Sequence, residues 1–126
     1  MTFRGISRHN YLKFCYFSMT KYNRNFFSGL SGLALPIPKY KFPPEYQETS
    51  RLTYYATMFN SIEINRSFYK IPLTRTISKW VSSVNDDFKF TFKLFKGITH
   101  EKNLNFDNLY VHQFMESISH IGPKMG

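Results

Sequence analysis

Ser61-Ile62-Glu63-Ile64-Asn65 alternates strictly, with Ile62 and Ile64 on one side and Ser61, Glu63 and Asn65 on the other. About 28 residues later, Phe90-Thr91-Phe92-Lys93-Leu94 repeats the pattern, setting Phe90, Phe92 and Leu94 against Thr91 and Lys93. A period of two marks a strand, because successive side chains leave the backbone on opposite sides. Parallel strands covered by helices on both faces are apolar on both. Here only one face can sit under helices, while Glu63 and Lys93 lie polar near the strands' C-terminal ends. A barrel reconciles the two, with helices packed outside and polar side chains pointing into the mouth. An antiparallel sheet with one wet face would also do so, but the segment between these strands reads as a helical crossover, which joins parallel neighbours. The expectation is an α/β chain forming a partial TIM-type (β/α) barrel with parallel strands, about three βα units of eight.

Working outward, Leu52, Tyr55, Ala56 and Phe59 share the spacing of one buried helical face, predicting a helix that begins near Tyr46. Ile77, Trp80, Val81 and Val84 repeat that spacing after Thr74, a residue able to cap the helix. Asn85-Asp86-Asp87 reads as a turn, and Phe88 to Phe95 as the third strand. Asp107 caps a last helix with Val111, Phe114, Met115 and Ile118 inward, and Gly122-Pro123 stops it. Upstream, Phe26-Phe27-Ser28 reads as a first strand entering the turn Gly29-Leu30-Ser31-Gly32. The prolines from Pro36 to Pro44 then exclude helix.

Composition sets broad limits. The 126 residues are enough to bury a core, and aromatics reach 19%, with fourteen Phe and nine Tyr supplying much buried area per residue. A net charge of +9 suggests nucleic acid, but its distribution weakens that reading. Residues 1–25 carry Arg4, Arg8, Lys13, Lys21 and Arg24 with no acid, whereas the remainder holds twelve basic and eight acidic side chains. Residues 1–25 are therefore expected to be a basic tail outside the fold, either disordered or upstream of a true start at Met19. The acid-free opening, with its apolar patch Phe14–Phe17, also loosely resembles a transit peptide. Residues 26–126 are expected to form the folded part. Cys15 has no second cysteine to pair with, which fits a reducing, cytoplasmic compartment. No run approaches the ~18–20 apolar residues of a membrane span, so no membrane partner is expected.

Several motifs occur in order: Tyr54-Tyr55-Ala56, Phe59 to Asn65, Ser67-Phe68-Tyr69-Lys70-Ile71-Pro72, Trp80, Asp86 to Lys93, and Gly97-Ile98-Thr99-His100. Together with Ser31 to Pro36 they resemble the YecE-like family, domain of unknown function 72, from about Phe26 to the C-terminus. The resemblance implies a TIM-type barrel of roughly ~250 residues whose activity has no settled description. It also implies that residues 26–126 are the N-terminal half of such a barrel, truncated where a fourth strand should begin. A complementary C-terminal barrel half is then an expected partner.

Candidate chemistry gathers at the predicted mouth. Glu63 is a candidate general base or metal ligand, or else the partner of Lys93 in a lumen salt bridge. Lys93 can also hold a phosphate or carboxylate as a point charge. His100 is the candidate for acid–base work, since imidazole titrates near neutral pH. Glu63, Lys93 and His100 make the catalytic set, and Asn65, Tyr69 and Thr99 the ligand contacts. Two metal ligands fall short of the three that a catalytic zinc takes from protein, so no metal is assigned and the cofactor is unknown. Phe68 and Tyr69 could wall a site for a sugar or base, although Phe68 reads rather as packing, and Ser28 to Gly32 reads as a plain turn rather than a phosphate cradle. His112 and His120 read as surface residues, with His9 in the tail.

The functional expectation is a site at the strand C-terminal ends for a polar, anionic small molecule or a nucleotide, with hydrolase-type acid–base chemistry if it is an enzyme. The alternatives are a nucleic-acid-binding module working through the basic tail and aromatic surface, or a non-functional truncated product.

Overall fold

The computed structural model describes residues 26–126, so the expectations for segment 1–25, including His9, Cys15 and Met19, lie outside the described residues. Three short strands form a parallel sheet: β1 (Gly29–Ser31), β2 (Ser61–Ile64) and β3 (Lys89–Phe92), in the order β1-β2-β3. Glu63 lies opposite Ser31 on one side and Thr91 on the other, and Ile62 lies between Leu30 and Phe90. Ile62, Ile64 and Phe90 are buried, Glu63 is half-buried, and Ser31 and Thr91 are exposed.

The buried face is covered by α2 (Arg51–Tyr55) and α3 (Thr74–Ser82), which bring Leu52, Tyr55, Ala56 and Ile77 against Ile62, Ile64, Phe88 and Phe90. Ile121 joins this core from just beyond α5 (Asn108–Ser119). Ile98, Phe114 and Ile118 form a second cluster, which shares Phe92 and Met125 with the first. Crossovers of one hand that step repeatedly in one direction leave their helices on one side of the sheet. The result is a mixed α/β chain with one covered and one polar face.

Local structure departs from the sequence pattern in several places. The first strand is Gly29–Ser31, not Phe26–Ser28, so the segment expected to turn is itself the strand. Residues 26–28 are held instead by a side chain: Asn60 Nδ2 donates to Phe26 O at 2.8 Å, and Ser28 N–H donates to Asn60 Oδ1 at 2.7 Å. The turn follows at Gly32, where φ is +91°.

The helix expected from Tyr46 is broken into α1 (Pro44–Gln47) and α2. Ser50 starts α2 afresh by accepting from Thr53 N–H at 3.0 Å, the bond of an N-cap. Pro44 does not exclude helix but opens α1 at its first position, where the missing N–H costs nothing. Thr74 is the first residue of α3 and not its cap.

The third strand ends at Phe92, so Lys93 and Leu94 lie beyond it and Leu94 is exposed. Asp107 caps α5 as expected, accepting from Leu109 N–H at 2.8 Å. Met115, expected inward, is 56% exposed, and Ser117 takes an inner place by donating to Pro72 O.

Candidate functional site

Beyond Ile64 the chain tightens into a 3-10 turn, Asn65–Phe68, and beyond Phe92 it leaves the sheet towards α4 (Lys96–Thr99). Ser67 joins the two exits. Fully buried, its hydroxyl lies 2.6 Å from both Ile64 O and Lys93 O and shares one hydrogen between them. Lys93 N–H also donates to Ile64 O, at 3.3 Å. The C-terminal ends of β2 and β3 are thereby fixed where the candidate side chains emerge.

Two groups stand there. In the first, Asn65 Nδ2 donates to Ser31 Oγ at 2.8 Å, and Ser31 Oγ donates to Glu63 Oε1 at 2.9 Å. The Asn65–Ser31–Glu63 chain spans β1 and β2 and orients the carboxylate. In the second, Phe68 is the hub. Lys93 Nζ lies 4.8 Å from its ring centroid, and the His100 imidazole meets it edge-on at 4.9 Å and 81°. Tyr69 meets it edge-on at 5.0 Å and 89°. Thr99 Oγ1 lies 2.9 Å from His100 Nδ1, and Lys96 Nζ lies 5.8 Å from the Tyr69 ring. Lys93, Thr99 and His100 are exposed, and Tyr69 is 68% exposed.

The salt bridge considered between Glu63 and Lys93 is not formed. Glu63 engages Ser31, Lys93 turns to an aromatic face, and the ion pair among the described residues is Lys124 Nζ to Asp86 Oδ1 at 3.5 Å. Among the described residues no three His, Cys, Asp or Glu side chains gather as a metal site. No helix of the described residues is long and apolar enough to cross a membrane.

Three participants escaped the sequence reading. Ser31 falls in the expected turn, although its alignment with Glu63 follows once β1 is put three residues later. Phe68, for which packing is the favoured expectation, is only half-buried and carries Lys93 and His100. Lys96 opens α4, and no spacing in the sequence links it to Lys93, which lies before that helix. Past His100, Asn103 and Leu104 hold φ of 58° and 55°, a backbone state that costs a non-glycine residue energy and concentrates near functional loops.

Comparison with known proteins gives a consistent answer. UPF0759 protein YecE of Escherichia coli K12 is 32% identical over 72 residues, which are 57% of this chain and 26% of that protein. UPF0759 protein YunF of Bacillus subtilis is 33% identical over 58 residues, 46% of this chain and 21% of that one. The matched stretch is thus about a quarter of each relative or less. Two crystal structures of a DUF72 family protein from Enterococcus faecalis V583 superpose on the fold. One has a TM-score of 0.58 at 21% identity, covering 77% of this chain and 36% of the other; the second has 0.52 at 25%, covering 59% and 32%. Residues 28–126 match the family described as protein of unknown function DUF72. The chain belongs to the DUF72 family.

Proposed function

We propose that residues 26–126 are part of a TIM-type barrel whose mouth binds a polar, anionic small molecule. Lys93 holds the anion, Glu63 and His100 supply acid–base groups, and Asn65, Tyr69 and Thr99 contact the ligand. The observation that carries this reading is the convergence on Phe68. Lys93 and His100, from the exit of β3 and the end of α4, meet one ring at the exit of β2. Neither Lys93 nor Lys96 has a carboxylate partner among the described residues, so their charge is available to a ligand.

The barrel reading is supported by sidedness and order. Doubly wound sheets reverse direction at a switch point and cover both faces, whereas barrel strands follow one another with every helix outside. The order β1-β2-β3 with one covered face fits the second. Met125 extends the series by bridging Phe90 in parallel, with Gly126 N–H donating to Phe90 O at 2.9 Å. Five further strands would close the barrel, and a complementary half is the partner this reading requires.

Titration with pyrophosphate at low and moderate salt tests the site. Binding is expected to fall at least tenfold in Lys93→Ala and to survive replacement of the five basic residues of segment 1–25 by Gln. Loss on the second replacement, with Lys93→Ala silent, would instead favour a nucleic-acid-type interaction through the tail. If turnover accompanies binding, Glu63→Gln and His100→Asn are expected to abolish it while leaving affinity within a few fold.

A further inference from the structure

We infer that the anion recognised at this mouth is a nucleotide, its base stacked on Tyr69 and its phosphate held by Lys93 and Lys96; this rests on the binding site proposed above. An anion site alone explains the two lysines but not the ring beside them. Tyr69 is 68% exposed, yet it is not loose: it stands edge-on to Phe68 at 5.0 Å and 89°, and Phe68 is itself braced by His100 at 4.9 Å. A large ring fixed in orientation and left facing solvent loses little entropy when a planar group settles on it.

Charge and ring are paired at the same place. Lys96 Nζ lies 5.8 Å from the Tyr69 centroid, and Lys93 Nζ lies 4.8 Å from the centroid of Phe68, the ring that Tyr69 abuts, so one ammonium group stands at the exposed ring and the other at its neighbour. A neutral sugar would use the ring without the cations, and inorganic phosphate the cations without the ring. A base joined to a phosphate uses both, and the Asn65–Ser31–Glu63 chain adds polar groups suited to sugar hydroxyls. Tyr40 provides an internal comparison. It is 74% exposed and has Lys41 Nζ at 6.0 Å, but it pairs with no second aromatic ring among the described residues.

The test is calorimetric titration of the whole chain with inorganic phosphate, ribose 5-phosphate, AMP and UMP at one ionic strength. Base stacking is expected to make AMP and UMP bind roughly tenfold tighter than ribose 5-phosphate. Tyr69→Ala is expected to bring that ratio close to one, Tyr69→Phe to keep it, and Tyr40→Ala to leave it unchanged, with circular dichroism checking each fold. Equal affinity for ribose 5-phosphate and the nucleotides would overturn the nucleotide assignment and leave the anion site standing. A preference that persists in Tyr69→Ala would likewise overturn it. Failure of all four ligands to bind would sink both readings together.

Discussion

Gly29 and Tyr55 show how closely single residues set the first strand pair. A Cβ at Gly29 would fall 2.0 Å from Ser61 O, an overlap with backbone that no rotamer can relieve. Gly29→Ala is therefore expected to lower stability by about 1–3 kcal/mol, read as a reduced urea midpoint. A substitution that left the midpoint in place would mean that β1 does not approach β2 so closely.

Tyr55 is fully buried, and its hydroxyl accepts from Leu30 N–H at 2.7 Å and donates to Ser61 O at 2.9 Å. Burial raises its pKa above the ordinary value of 10.0, with the Leu30 N–H acting in the opposite sense. Tyr54 is raised too, first by burial and then by Tyr46 and Glu45. Both hold their protons more tightly folded than unfolded. The resulting stability is fully present below the unfolded pKa and is lost as pH rises through the folded value. Stability is expected to be level to about pH 9 and to decline above about pH 10. In Tyr55→Phe that alkaline decline should be shallower, measured by urea unfolding across the range. An equally steep decline in the variant would remove Tyr55 from the account.

The elements are short, and polar side chains complete them. α3 ends against Lys124, whose buried Nζ donates to Val81 O and Val84 O, each at 2.9 Å. A cation at a helix C-terminus satisfies orphan carbonyls and opposes the negative end of the dipole. Asp86 adds little, because it is fully exposed while Lys124 is not. Lys124→Met keeps most of the buried stem but strands both carbonyls. The expected cost is about 2 kcal/mol or more, with hydrogen exchange quickened first in the last turn of α3. Uniform quickening along the whole chain would show that Lys124 supports the fold globally rather than this helix end.

Lys89 makes a similar link, donating to Pro123 O at 2.7 Å and Met125 O at 3.1 Å, so one lysine ties the segment after α5 to the sheet and another ties it to the end of α3. None of this was visible in the pattern of apolar residues. Periodicity reports which face is greasy, while these bonds depend on where a distant carbonyl arrives in space. The apolar faces of α2 and α3 were legible for the converse reason: Leu52, Tyr55, Ala56 and Ile77 must be buried wherever the helices go.

At the scale of the molecule, a covered face and an uncovered one share a single three-stranded sheet. Beyond the Phe90–Met125 bridge, the outer edge of β3 has no strand partner among the described residues. Unpaired strand edges recruit other chains, and an open sheet with few strands is marginal. A polypeptide of residues 1–126 in isolation is expected to bind a hydrophobic dye and unfold over a broad urea range. Supplying the remaining part of a DUF72 relative in trans is expected to sharpen the transition. A steep transition without dye binding, in a monomer by light scattering, would count against the partial-barrel reading.

The alternation in Ser61–Asn65 and Phe90–Leu94, and the helical spacing between them, were enough to fix parallel strands, one-sided burial and the α/β class, because burial follows from the period of the local backbone. The family was readable from the same residues. Three-dimensional packing alone decided that β1 is Gly29–Ser31, that Ser67 clasps the two strand exits, and that Lys93 and His100 meet on Phe68. Apart from the local Ser67–Ile64 bond, these are contacts between residues 25 or more apart along the chain, and linear periodicity carries no information about which distant groups become neighbours.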